Sequence, residues 1–437
     1  MTATASMQPH PGSSVPARRR VGFVDGLRGI AALYVVVAHA LAINLPVTAT
    51  ASGGVYGTGS QWDRALYLVA DASIVLSRYG VVLFIVLSGC SLMLPIARSE
   101  DGKLPGGLWT YVRRRARRIL PPYYAALVLS LVLIAVVPGM AAASIGWWEG
   151  ALPAWDLDVL LSHALLIHNL SPEWAYRINP PLWTIAIEWQ IYFVFPIVLL
   201  PVWRRYRESG AIIVAFAIGL AIYVAAGPDR MVHSAPWFLG LFALGMAAAV
   251  FGFSRERPGP IPQRWLLPVV GIALGAFFLV AAIVRVAHIE FVTAGWIADV
   301  IFGFGTAVFV VYCARDGEHR WFPVRRFLDA RPVVTLGWFS YSLYLVHAPV
   351  LVAAALGFRA VGIPPVLYVP AVLVGIILAV VAAWAFHLVF ERPFMPRHLR
   401  DVGSSVGPAP SVPPASPHDT PRISPDARIQ ATLLDVD

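Results

Sequence analysis

The chain has 437 residues, 58% of them hydrophobic and 13% charged, against roughly 45–50% apolar and about 25% charged in ordinary soluble domains. That excludes a plain soluble globular protein; a mean hydropathy of +0.70 with 15 Trp, 15 Tyr and 22 Phe points to apolar helices flanked by aromatic belts. The net charge of +9 sits between apolar runs and not along one amphipathic face, so it argues for membrane topology and against nucleic-acid binding.

The predicted fold class is all-α, a polytopic membrane protein of about ten transmembrane helices with both termini cytoplasmic. Crossing a hydrocarbon core of about 30 Å takes roughly 20 helical residues. In chain order such runs lie at 23–45, 79–97, 120–138, 181–201, 211–227, 235–253, 265–285, 294–314, 332–356 and 366–389. With the N terminus inside, 26 Lys or Arg fall in cytoplasmic segments and six on the other side, with Arg28 inside the first helix; an even number of spans follows from that bias. Residues 1–20 and the Pro/Ser-rich stretch 397–437 have no apolar period and are expected to be disordered tails around a membrane domain over 21–396. Cys90 and Cys313 lie in apolar runs, which indicates neither a disulfide framework nor a thiolate metal site. The long connection 139–180 holds Trp147, Trp148, Trp155 and Trp174 with Asp156, Asp158, His163 and His168. It reads either as interfacial aromatics or as a cap that binds an acceptor.

Ionisable groups inside membrane helices cost several kcal/mol and need a reason. In the first helix Arg28 and His39 are 11 residues apart, which puts them on one face about 16 Å apart along the axis. Arg28 suits forked hydrogen bonds to an anion. A neutral His39 deeper in the helix suits proton abstraction from a hydroxyl. Snorkelling and an interhelical hydrogen bond are the structural alternatives. The second helix contributes Ser88 and Gly89 in LFIVLSGCSL. At the mouth of the third, YVRRRARRILPPYY carries Arg114, Arg115 and Arg118; Arg115 and Arg118, at i and i+3, face the same way and can converge on phosphates. Anionic lipid headgroups are the alternative ligand. In the fourth, Thr184, Glu188 and Tyr192 follow at steps of four, a polar stripe whose carboxylate either orients His39 or ties helices together. Ser340, Tyr344 and His347 share a face of the ninth. Asp299 and His387 are intramembrane polar groups to which the sequence assigns no role. No HExxH, Walker or GxGxxG pattern stands in a fitting context, so metal, ATP and dinucleotide chemistry are not expected.

These residues together resemble the membrane-bound acyltransferase 3 superfamily. DGLRGIAALYVVVAHA resembles its opening Arg and His signature, LFIVLSGCSL its FxxSGF segment, and RRRARRILPPYY its paired-arginine loop. LWTIAIEWQIYFVFP resembles its tryptophan and glutamate segment, with Trp183, Glu188 and Tyr192; FSYSLYLVHAPV and FERPF resemble its last two signatures. The resemblance, from about 22 to 395, implies an O-acyltransferase of the bacterial inner or plasma membrane. Its donor would be acyl-coenzyme A, in the first instance acetyl-coenzyme A, and its acceptor a hydroxyl of a glycan, lipid or natural product; membrane lipid is the remaining partner. It implies catalytic roles for His39, Glu188 and Tyr344, donor binding by Arg28, Arg114, Arg115 and Arg118, substrate contacts from Ser88, Trp183, Tyr192, Ser340 and His347, and no metal. Cys90 stands where an aromatic is usual, Val82 where an acid is frequent and Thr184 where Ser is common. The esterase-like domain fused to some relatives is not expected. A secondary transporter or flippase also buries such charges, but should show repeated halves with matched helix breaks, and none is visible in the sequence.

Overall fold

The computed structural model describes residues 21–44, 61–99, 102–143, 145–227, 233–254, 259–287, 291–315, 323–362 and 368–395. The predicted tails, 1–20 and 397–437, lie outside the described residues. In lipid every backbone donor and acceptor must be satisfied within the chain, and the long Val, Leu, Ala and Ile runs accordingly form helices. These are α1 (Gly22–Asn44), α2 (Gln61–Ala97), α3 (Gly107–Val136), α4 (Leu157–Ala164), α5 (Trp183–Val194), α6 (Leu200–Ala226) and α7 (Phe238–Phe253). They are followed by α8 (Gln263–Val286), α9 (Phe291–Arg315), α10 (Pro323–Leu328), α11 (Arg331–Trp338), α12 (Ser340–Ala360) and α13 (Tyr368–Phe386).

Among the described residues eight helices are long and apolar enough to cross a membrane, and they account for the ten predicted runs with three adjustments. The runs 181–201 and 211–227 belong to one 47-residue stretch, Pro180–Ala226. It loosens into a π turn over Phe195–Leu199, where Pro196 lacks an N–H, and breaks at Arg207, whose φ is 61°. The run 235–253 is the 16-residue α7, about 24 Å long and shorter than the hydrocarbon core. The run 332–356 is interrupted at Phe339, so the spanning helix α12 starts only at Ser340.

Helix α1 packs against α2, α11, α12 and α13, and α2 lies along α7. The α2–α7 approach is backbone to backbone: a Cβ on Gly89 would meet the Phe242 carbonyl oxygen at 2.0 Å, and one on Gly245 the Val86 carbonyl oxygen at 2.0 Å. Small residues at such crossings are what let membrane helices touch. The two polar groups left without a role by sequence are both paired. Asp299 on α9 is fully buried and bonded by Arg78 of α2 at 2.8 Å and by the Trp237 indole N–H at 2.9 Å. His387 Nδ1 lies 2.8 Å from Glu391, which also accepts the Ser342 hydroxyl at 2.6 Å, fastening the π turn His387–Glu391 to α12.

Short turns at Met140–Ala142, Gly146–Ala151, His168–Leu170 and Pro180–Leu182, together with α4, fold the connection between α3 and α5 over one end of the bundle. Inside it the imidazoles of His163 and His168 stack with centroids 4.0 Å apart. Burial holds His163 down to about 4 and His168 well below its usual range.

Candidate active site

Two cavities open towards the middle of the bundle. The first, about 160 Å³, is lined by Arg28 from the first half of α1 and by Arg115 and Arg118 from the first half of α3. Three guanidinium groups share this cavity with the Glu188 carboxylate and several hydroxyls, and forked guanidinium donors of this kind can hold a multiply charged anion. Arg28 donates to the Ser91 hydroxyl at 3.2 Å; Arg115 lies over the Tyr192 and Tyr111 rings at 5.7 and 6.0 Å. Arg114 does not join them: its side chain is exposed and turned to the Pro105 carbonyl at 3.5 Å.

The stripe Thr184, Glu188 and Tyr192 lines the same cavity, because residues four apart on α5 project to one side. One Glu188 oxygen accepts the Ser88 hydroxyl at 2.5 Å and also the Tyr192 hydroxyl. Glu188 is therefore held among hydroxyls in the arginine-lined cavity, and in this arrangement its partners are Ser88 and Tyr192 in place of His39. Ser340 lines the cavity with its hydroxyl donated to the Gly337 carbonyl at 2.8 Å.

The second cavity, about 270 Å³, lies towards the folded connection, and His39, Trp147, Tyr176, Trp183 and Arg78 line it. His39 Nδ1 is 2.9 Å from His347 Nε2, and His347 Nδ1 is 2.8 Å from the Tyr344 carbonyl and 3.1 Å from the Leu343 carbonyl. Carbonyls only accept, so His347 carries its proton on Nδ1 and its Nε2 accepts from His39 Nδ1–H. That leaves the lone pair of His39 on Nε2, the state a general base requires. The Trp147 ring packs on His39 at 4.6 Å. Trp183 is a wall of this cavity and not of the first, under the Arg78 guanidinium at 5.6 Å.

Tyr344 and Val81 line both cavities. The phenol of Tyr344 is 2.9 Å from Thr184 Oγ1, itself 3.1 Å from the Pro181 carbonyl. The sequence named His347 only as a substrate contact, where its geometry makes it the partner of His39. It did not single out Ser91, Tyr176 or Arg78, and it left Trp147 between two readings. A cation at Arg78 and an anion at Asp299, each isolated in an apolar run, were the available signal for that pair.

A family profile described as an acyltransferase domain, acyltransferase 3, matches residues 21–388. The chain belongs to this family. It is 22% identical to the peptidoglycan O-acetyltransferase OatA of Listeria monocytogenes over 77% of this chain and 50% of that protein. It is 24% identical to YrhL of Bacillus subtilis, provisionally named for the same activity, over 89% of this chain and 57% of that one. With BcsY of Komagataeibacter xylinus, provisionally named a membrane-bound transacylase, identity is 25% over 76% and 73% of the two chains. The chain spans about half the length of the first two relatives. No solved structure matches it significantly. Its apolar helices and bacterial relatives make this family member a multi-pass protein of the bacterial cell membrane.

Proposed function

We propose that this protein is a membrane O-acyltransferase that moves an acyl group, acetyl in the first instance, from acyl-coenzyme A to a hydroxyl of a glycan, lipid or natural product. The observation that carries this reading is the His39–His347 pair, which leaves an unprotonated Nε2 on a cavity that shares a wall with another lined by three arginines. The positive-inside bias puts the arginine end in the cytoplasm, where acyl-coenzyme A is made. Arg28, Arg115 and Arg118 then hold the donor's phosphates by forked, charge-assisted hydrogen bonds. The pantetheine arm reaches inward past Glu188 and Ser340 towards Tyr344.

At the junction the acceptor hydroxyl gives its proton to His39 Nε2 as its oxygen attacks the thioester carbonyl carbon. The imidazolium so formed is stabilised by the Nδ1–H bond to His347, whose own Nδ1–H is anchored on the backbone. Collapse of the tetrahedral intermediate breaks the C–S bond, and the coenzyme A thiolate leaves with the proton from His39. The aromatic walls Trp147, Tyr176 and Trp183 suit the apolar face of a sugar ring, and the relatives named for peptidoglycan O-acetylation favour a glycan among the three acceptor classes.

The test is release of coenzyme A thiol and transfer of radiolabelled acetyl by the purified protein in nanodiscs. Wild type should turn over donor, and His39→Ala should not while remaining monodisperse. Equal turnover by the two, or none by wild type with acetyl and longer donors in the presence of hydroxylated acceptors, overturns the proposal.

A further inference from the structure

The two cavities adjoin, and two side chains line both. Tyr344 and Val81 are buried to 6% and 7% exposure, and each faces the arginine-lined cavity on one side and the His39 cavity on the other. The Tyr344 ring is braced by Phe84, centroids 5.8 Å apart and edge to face. Its hydroxyl is latched by a hydrogen bond with Thr184 Oγ1 at 2.9 Å, and Thr184 Oγ1 also lies 3.1 Å from the Pro181 carbonyl. While so latched, the ring is held across the junction.

The geometry points to Tyr344, latched by Thr184 and backed by Val81, as a partition that sets how much acyl chain can be presented to His39. The inference rests on the reading that acyl-coenzyme A enters by the arginine-lined cavity. An acyl group arriving there must lie against the Tyr344 ring and the Val81 side chain to bring its carbonyl to the base. A two-carbon acyl group needs little room beyond the carbonyl. Each further methylene has to displace a braced ring or break its hydrogen bond to Thr184. Packed apolar walls of this kind discriminate one methylene by roughly 10- to 200-fold. The departure from the family pattern at Thr184 falls on the latch itself.

The experiment compares kcat/KM for acetyl-, propionyl- and butyryl-coenzyme A in nanodiscs for wild type, Val81→Ala, Thr184→Val and Tyr344→Ala, with monodispersity checked for each. Thr184→Val removes the latch at nearly constant volume and Val81→Ala opens the wall without touching the ring, so the test stands even where Tyr344→Ala does not fold. The expected result is a wild type that prefers acetyl, and a butyryl-to-acetyl ratio that rises at least about tenfold in the folded variants. A purely structural role for these residues would lower turnover of all three donors together and leave the ratio unmoved. A ratio unchanged within about twofold, or a wild type indifferent to chain length, overturns the partition while leaving the acyltransferase reading intact. A wild type that turns over none of the donors overturns both.

Discussion

Replacing His347 with Phe keeps a ring of similar size beside His39 and deletes the atom that fixes the His39 tautomer. In the structure His39 Nδ1–H has His347 Nε2 at 2.9 Å, and His347 is itself fully buried and pinned to the Tyr344 carbonyl at 2.8 Å. Without that acceptor, a buried Nδ1–H left unsatisfied costs about 1–3 kcal/mol. The ring escapes that cost by moving its proton to Nε2 or by rotating, and both remove the base from the acceptor hydroxyl. At about 1.4 kcal/mol per factor of ten, kcat should fall roughly 5- to 150-fold with the KM for acyl-coenzyme A little changed. His39→Ala should lose the whole of the general-base term, roughly 10²–10⁴-fold. Because His347 acts only through His39, the double variant should be no slower than His39→Ala alone. The assay is steady-state thiol release in nanodiscs for the four proteins of the cycle. Multiplicative losses in the double variant, or an unchanged kcat for His347→Phe, would refute the reasoning.

Three further outcomes follow from the same geometry. Arg115→Ala, which removes a guanidinium from the first cavity, should raise the KM for acetyl-coenzyme A about tenfold or more. The KM for an acetyl-pantetheine donor without phosphates should stay put, and equal effects on both donors would contradict phosphate binding. Asp299→Ala removes the carboxylate that Arg78, whose side chain is only 16% exposed, pairs with, and should destabilise the protein by about 3–5 kcal/mol; thermal unfolding in detergent should show Arg78→Met/Asp299→Leu losing less than Asp299→Ala. Burial holds His163 down to about 4 and His168 lower than usual, whereas in an unfolded chain both titrate near 6.5. The unfolded state thus binds more protons across that window, so their contribution is complete above about pH 6.5 and is lost as pH falls towards 4. The melting temperature should drop over that interval, and His163→Phe should flatten the slope; an identical slope in that variant would contradict the assignment.

Much of the arrangement is legible in the sequence because membrane helices leave few choices. Long apolar runs must be helical, and the stripes Thr184–Glu188–Tyr192 and Ser340–Tyr344–His347 follow from helical period alone; both line or flank the cavities. What periodicity does not carry is which stripe faces which. Glu188 and His39 are both rare intramembrane groups, and pairing them is the simplest guess from sequence. Yet Ser88 and Tyr192 take the carboxylate, and His347, 308 positions away in sequence, takes the imidazole. Arg114 shares a helical turn with Arg115 but not its face, so the arginine run could not by itself say which members point inward. The break at Phe339 was invisible for a related reason: α11 is apolar enough to read as one run with α12. Just before the break Gly337 packs on the Asp25 backbone, where a Cβ would meet the carbonyl oxygen at 2.0 Å.

The most direct test of the account is to locate a non-hydrolysable acetyl-coenzyme A analogue bound to the full chain in nanodiscs by electron cryomicroscopy. Its phosphates should lie against Arg28, Arg115 and Arg118 and its acyl carbonyl at Tyr344, within reach of His39 Nε2. An analogue seated instead among Trp147, Tyr176 and Trp183, with the arginine-lined cavity empty, would contradict it.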